Sequence, residues 1–388
     1  MKTLLKSISL LLCVITVLLS LPSTSSAAAV EDKAPFDVDA LSALLMDSAT
    51  GEVLYAKNAA EALPPASVTK IMTLLLVMEA IDAGQLSLED KVQVSEYAAS
   101  MGGSQVYLEP GEEMKCEDLL KSVIIASAND AAVTLAERVS GSVQAFVVRM
   151  NERAKELGME SSSFENPTGL DDNVTNHVTS AYDIALMSRE LLKHKKILEY
   201  TSIWMDTIRD GAFGLTNTNR LIRFYSGATG LKTGSTSKAK FCISATAERD
   251  GMHLIAVIMG APNRDSRNVT AKRLLDYGFA NYRYVFREAG DSGEMKVLGG
   301  VSDNVKLTHG EFGTVLEKGE AANGIEEVVK LPESIDAPVK AGDVVGTIDY
   351  KAGDTVIGSV EISAAENVAR IGFGGLLARM FGCFCVKG

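Results

Sequence analysis

Eight residues, Ile71-Met72-Thr73-Leu74-Leu75-Leu76-Val77-Met78, contain a single polar side chain. A helix this apolar is buried on most of its faces, so the rest of the chain has to be arranged around it. Pro64 and Pro65 lie just upstream. They close a loop and favour a helix start immediately after them. Ser67 and Lys70 then fall three residues apart in the first turn and share one face. A serine hydroxyl is a poor nucleophile until a neighbouring base takes its proton. A lysine can be that base if burial or nearby cations lower its pKa. Free backbone N–H groups at the helix start also face any negative charge that develops there. The same Ser-x-x-Lys spacing recurs at Ser235-Thr236-Ser237-Lys238, but no long apolar helix follows it.

The chain ends frame this segment. Lys2 and Lys6, the apolar stretch Leu10 to Leu21 and the small residues Ser25-Ser26-Ala27-Ala28-Ala29 read as a secretory signal over residues 1–29. The apolar stretch is short for a membrane span. The mature chain is therefore expected outside the cytoplasm, on the outer face of the bacterial cytoplasmic membrane or extracellular. With 388 residues it is long enough for two domains. A net charge of −12 without a dense Lys/Arg cluster argues against a nucleic-acid partner. Cys116, Cys242, Cys383 and Cys385 are too scattered for a disulfide framework. No zinc-ligand spacing and no phosphate-binding loop is visible, so no metal or cofactor is expected.

In chain order, residues 41–56 read as a hairpin around Asp47-Ser48-Ala49-Thr50-Gly51. Residues 84–115 are loop-rich. Cys116 to Ile125 reads as a helix stopping at Ala126-Ser127-Ala128-Asn129, and Asp130 opens another. Phe146 to Leu157 and Ala181 to Leu192 are further helices, separated by a polar, irregular stretch near 160–180. Strands follow: Gly230-Leu231-Lys232-Thr233-Gly234, then Lys240 to Ala247 and Met252 to Met259 around the turn Arg249-Asp250-Gly251. Thr270 to Phe286 reads as one helix. Sheet pieces flanking a helical middle predict an α/β (α+β) fold, a sheet covered by helices with a helical subdomain inserted, over residues 30–288. Short strand-like runs from Met295 to Ile362 predict a small β-rich domain over 289–367.

Two further tripeptides carry chemistry. In Ser127-Ala128-Asn129 the hydroxyl can relay a proton, and the amide can bind a substrate carbonyl or position a lysine. In Lys232-Thr233-Gly234 the lysine supplies fixed positive charge, the threonine can bind a carboxylate, and Gly234 lets a ligand lie close against the strand. Each alone is common; Ser266-Arg267-Asn268 and Ser302-Asp303-Asn304 share the Ser-x-Asn form. All three in this order are far more specific.

With their flanks, Pro65-Ala66-Ser67-Val68-Thr69-Lys70-Ile71-Met72-Thr73, Ile125-Ala126-Ser127-Ala128-Asn129-Asp130-Ala131-Ala132 and Gly230-Leu231-Lys232-Thr233-Gly234, the chain resembles the low-molecular-mass penicillin-binding proteins that are D-alanyl-D-alanine carboxypeptidases. Asn166-Pro167-Thr168-Gly169-Leu170 and Thr179-Ser180-Ala181-Tyr182-Asp183 resemble them too. The resemblance implies the penicillin-binding/β-lactamase-like transpeptidase fold. It implies Ser67 as nucleophile, Lys70 as base, and Ser127 with Asn129 as proton relay and substrate contacts. It implies Lys232, Thr233 and Gly234 at the substrate carboxylate, and an oxyanion hole from the backbone N–H groups of Ser67 and Ser235. Arg267 is implied as a further carboxylate contact; the alternative is a solvated arginine at a helix start. Departures from the family are Thr229, where many relatives have Asp, and Thr168 or Ser235, where many have His.

The expected partners are peptidoglycan stem peptides ending in D-Ala-D-Ala, with β-lactams as covalent inhibitors. Two alternatives stay open. A class A β-lactamase needs a Glu-x-x-Leu-Asn element, and none occurs between Asn129 and Lys232. A catalytically weak penicillin-binding or wall-binding protein is the other. Residues 368–388 predict an amphipathic tail lying on a membrane surface, with Phe373, Leu376, Leu377, Met380, Phe381 and Phe384 as its stripe and Arg370, Arg379 and Lys387 at lipid headgroups. The opposing reading is a helix docked on the β domain.

Overall fold

The computed structural model describes residues 31–172, 174–319 and 324–385, with side chains described up to Arg379 in the last stretch. The signal-sequence reading of residues 1–29 lies outside the described residues.

The centre is a five-stranded antiparallel sheet in the order β2-β1-β9-β8-β7. Its strands are β1 (Ser42–Asp47), β2 (Val53–Lys57), β7 (Ala228–Thr236), β8 (Lys240–Arg249) and β9 (Met252–Ala261). The expected hairpin of residues 41–56 forms, and β1 is locked to β9 in the register Leu45↔Ala256. β9, buried at nine of its ten positions, has no polar face because helices cover both sides of the sheet. On one side the helix Arg264–Asn281 packs Leu274 and Leu275 against Leu45, Leu54, Ala256 and Ile258. On the other side lie the helices Lys70–Asp82 and Ala181–Lys193. Ser188 and Ser244 are hydrogen-bonded across that interface at 2.8 Å.

The helix Lys70–Asp82 is preceded by a 3₁₀ turn, Ala66–Thr69. All of Lys70 to Met78 is buried, as its composition requires. The helices Cys116–Ile125, Asn129–Ser140 and Val143–Glu156 form the inserted helical subdomain. The loop-rich region before it contains the short strands β3 (Lys91–Gln93) and β4 (Glu113–Lys115). A small ribbon, β5 (Met205–Ile208) with β6 (Phe213–Thr216), precedes the short helix Leu221–Phe224.

One expected helix lies further upstream than its sequence suggests, running Arg264–Asn281 in place of Thr270 to Phe286. It ends at Asn281, not Phe286, and Tyr282–Arg287 is strand β10. Tyr282, Val285 and their neighbours are β-formers. The partner that decides the matter is β13 (Phe312–Glu317), which pairs with β10 antiparallel. The remaining strands are β11 (Gly290–Leu298), β12 (Asn304–His309), β14 (Ile325–Lys330), β15 (Ser334–Asp336), β16 (Val344–Ala352) and β17 (Thr355–Ala364). They form a six-stranded sheet in the order β14-β16-β17-β12-β11-β15. Its core holds Val305, Leu307, Ile348 and Ile362, with Phe312 stacked on Tyr350 at 4.1 Å.

The tail forms the helix Phe373–Cys385. Phe373 is 79% exposed and Leu376 49%, so the β domain leaves these described members of the apolar stripe uncovered. Arg379, expected at lipid headgroups, instead pairs with Asp303 at 2.8 Å and donates to the Val301 carbonyl. The side chains of Met380, Phe381 and Phe384, and Lys387, lie outside the described residues. Among the described residues no helix is long and apolar enough to cross a membrane.

Candidate active site

Three separate segments converge beside the 3₁₀ turn. Ser67, Ser127, Thr233, Gly234, Ser235 and Arg267 line one cleft of about 640 Å³. Lys70, Asn129 and Lys232 are buried behind its wall. Every residue given a catalytic or substrate-binding role from the sequence is therefore in, or directly behind, one site. The second Ser-x-x-Lys copy separates: Ser235 lines the cleft, whereas Lys238 is exposed and donates to the Asp171 carbonyl.

Lys70 is the best-defined group. Its Nζ is 3.0 Å from Ser67 Oγ, 2.6 Å from Asn129 Oδ1 and 2.8 Å from the Thr168 carbonyl. Complete burial, and then the neighbouring Lys232, push its pKa well below the usual lysine value, while Asp130 opposes them. The two carbonyl oxygens can only accept. Protonated, the amine donates to both and to Ser67 Oγ; neutral, it keeps its two N–H groups on the carbonyls and offers its lone pair to the Ser67 hydroxyl. Asn129 is itself held by Nδ2–H donation to the Gly102 carbonyl and by its backbone N–H to Ser104.

The backbone is shaped for this approach. Ala66 and Ser127 are held at φ of 49° and 63°, a left-handed conformation costly for residues with a Cβ and characteristic of functional sites. Gly169 has φ of +81°, and a Cβ there would lie 1.8 Å from the Ala66 carbonyl. That glycine presses the loop carrying Thr168 onto the Ser67 turn.

Three expectations change. The glycine of Lys232-Thr233-Gly234 is needed because β7 touches the Ser67 turn: a Cβ would meet Pro65 O and Ser67 N, both at 2.9 Å. Lys232 is not a fixed charge, since burial, and then Arg267, bring its pKa to about 7. It donates to the Thr233 carbonyl at 3.1 Å. Arg267 is not a solvated helix-start residue; it is 3% exposed, with Asn268 Oδ1 accepting from its guanidinium.

Several residues were not legible. Asp130, expected only as a helix start, accepts the backbone N–H groups of Val106 and Leu108 and so ties down the loop that carries Ser104 to the cleft. His177 bridges the two walls around Lys70: Nδ1 accepts the Glu165 N–H at 3.0 Å, and Nε2 lies 2.8 Å from Thr69 Oγ1. Thr218 accepts from Thr233 Oγ1 at 2.8 Å. No spacing in the sequence connects any of these to Ser67; only the fold does. Among the described residues no cluster of His, Cys, Asp or Glu is suited to a metal ion.

A family model described as D-alanyl-D-alanine carboxypeptidase matches residues 27–263. A second, described as penicillin-binding protein 5, C-terminal domain, matches residues 285–370. D-alanyl-D-alanine carboxypeptidase DacF of Bacillus subtilis (strain 168) is 44% identical over 350 residues, covering 89% of this chain and 90% of that protein. Penicillin binding protein 5 from Haemophilus influenzae superposes with a TM-score of 0.76 at 30% identity, covering 87% of this chain and 100% of that one. Penicillin-Binding Protein D2 from Listeria monocytogenes, in its ampicillin-bound form, gives a TM-score of 0.58 at 34% identity, covering 62% and 98%. Fold and site together define a serine-type hydrolase of the penicillin-binding class. The chain belongs to the D-alanyl-D-alanine carboxypeptidase family.

Proposed function

We propose that this chain removes the terminal D-alanine from peptidoglycan stem peptides through an acyl-enzyme on Ser67, and that β-lactams acylate the same hydroxyl. The observation that carries this reading is the caged Lys70 amine, 3.0 Å from Ser67 Oγ and depressed in pKa. Ser67 Oγ attacks the carbonyl carbon of the penultimate D-alanine while its proton passes to Lys70 Nζ. The oxyanion is held by the backbone N–H groups of Ser67 and Ser235. The C–N bond breaks, and the departing amine takes a proton relayed through Ser127. Water then cleaves the ester and restores Ser67. Thr233 and Arg267 hold the substrate carboxylate, and Asn129 positions both Lys70 and the substrate. Lys232, with a pKa of about 7, takes up a proton as that carboxylate arrives.

The chain is further read as exported through residues 1–29 and held at the outer membrane face by its tail. The uncovered Phe373 and Leu376 support an interfacial helix. Arg379, engaged with Asp303, would orient that helix against the β domain rather than reach headgroups.

The test is release of free D-alanine from an acyl-D-Ala-D-Ala peptide, together with labelling by a fluorescent penicillin. Wild type is expected to show both and Ser67→Ala neither. Labelling that survives Ser67→Ala overturns the nucleophile.

A further inference from the structure

The end of the cleft beyond Arg267 has more positive charge than one carboxylate needs. Arg220, Arg264 and Arg267 all line it. Their mutual proximity, after burial, depresses the Arg267 pKa to about 10. Past them, Arg220 and Phe224 also wall a second cavity of about 280 Å³, completed by Leu221, Asp265, Val269 and Lys272 among others. Neither Arg220, Arg264, Arg267 nor Lys272 forms an ion pair among the described residues. Four unpaired cations against the single carboxylate of Asp265, in a chain of net charge −12, form a local field of one sign. The C-terminal carboxylate of a D-Ala-D-Ala substrate neutralises one of them. The cavity beyond has room for a side-chain arm, at roughly 30 Å³ per water-sized group.

We propose that this second cavity is a leaving-residue subsite, and that the enzyme releases D-configured residues bearing a side-chain carboxylate as well as D-alanine. The proposal rests on the carboxypeptidase reading above and names a further substrate class for the same site. The chemistry is unchanged. Ser67 forms the ester to the penultimate D-alanine, the C–N bond breaks, the acidic D-amino acid leaves as its amine with the relayed proton, and water hydrolyses the ester. Arg267 holds the α-carboxylate. Arg220, Arg264 and Lys272 face the second anion, and Leu221, Phe224 and Val269 take the methylenes of its arm.

The experiment compares kcat/KM on acyl-D-Ala-D-Ala, acyl-D-Ala-D-Glu and acyl-D-Ala-D-Lys, for wild type and for Lys272→Glu and Val269→Trp. Wild type is expected to cleave the D-Glu peptide at least tenfold better than the D-Lys peptide, with the preference shrinking as salt is raised. Lys272→Glu is expected to erase or reverse that ratio, and Val269→Trp to lower cleavage of both longer peptides. Both variants should keep activity on D-Ala-D-Ala, which shows that they fold. Equal cleavage of D-Glu and D-Lys peptides, or a preference untouched by Lys272→Glu, overturns the subsite. Loss of wild-type activity on D-Ala-D-Ala itself overturns the carboxypeptidase reading, and the subsite with it.

Discussion

Acidification should weaken this fold through one buried imidazole. His177 accepts the Glu165 N–H at Nδ1, so its proton resides on Nε2, which donates to Thr69 Oγ1. Burial pushes its pKa from 6.5 down to about 4, against the weaker opposing pull of Glu165 and Asp171. Above pH 6.5 the ring is neutral in both folded and unfolded chains, and there is no penalty. As pH falls from 6.5 toward 4 the unfolded chain binds a proton that the folded chain refuses, so stability is lost. The drop from 6.5 to about 4, at about 1.36 kcal/mol per pH unit, is worth about 3 kcal/mol. His177→Gln removes this titration. At pH 7 it should cost about 1–3 kcal/mol, because the Glu165 N–H or the Thr69 hydroxyl loses its partner. The gap between wild type and variant should therefore close by about 3 kcal/mol between pH 7 and pH 4. Trp204 is the chain's one tryptophan and lines the cleft, so its fluorescence during urea unfolding reports the catalytic part. A stability gap that stays constant from pH 7 to pH 4 would refute a neutral, buried His177.

Other expectations follow from the same geometry. Lys70→Met keeps the buried volume but removes the lone pair facing Ser67; steady-state hydrolysis and penicillin acylation should fall by about 10²–10⁴-fold, and an unchanged acylation rate would remove Lys70 as base. Gly169→Ala places a Cβ 1.8 Å from the Ala66 carbonyl at a φ of +81°; thermal unfolding should show a loss above about 3 kcal/mol, and a near-neutral result would mean that this loop does not brace the Ser67 turn. Truncation after residue 372 should leave peptide hydrolysis intact and release the protein from anionic vesicles in a sedimentation assay. Retained sedimentation would exclude the tail as the anchor.

The sequence by itself determined the reactive elements. Ser67 and Lys70 are adjacent because three residues separate neighbours on one helical face, and the apolar run behind them guarantees burial. The hairpin of residues 41–56 and the strands around Arg249-Asp250-Gly251 are equally local, set by turn chemistry and apolar patterning. What the sequence left open depends on partners distant in the chain. Tyr282–Arg287 fits a helix continuation by position and becomes a strand because Phe312–Glu317 pairs with it. Lys232 reads as a fixed cation because lysines are normally solvated; burial, and then the neighbouring Arg267, are what bring its pKa to about 7. Gly234 reads as a ligand contact, yet the space it preserves belongs to Pro65 and Ser67, some 170 residues upstream. His177, Asp130 and the Arg220–Arg264–Arg267 group carry no local signature, because a hydrogen bond or a shared field is set by separation in space. Local periodicity fixes which side chains share a face, whereas pKa, close backbone contact and charge surplus arise only when the layers close on one another.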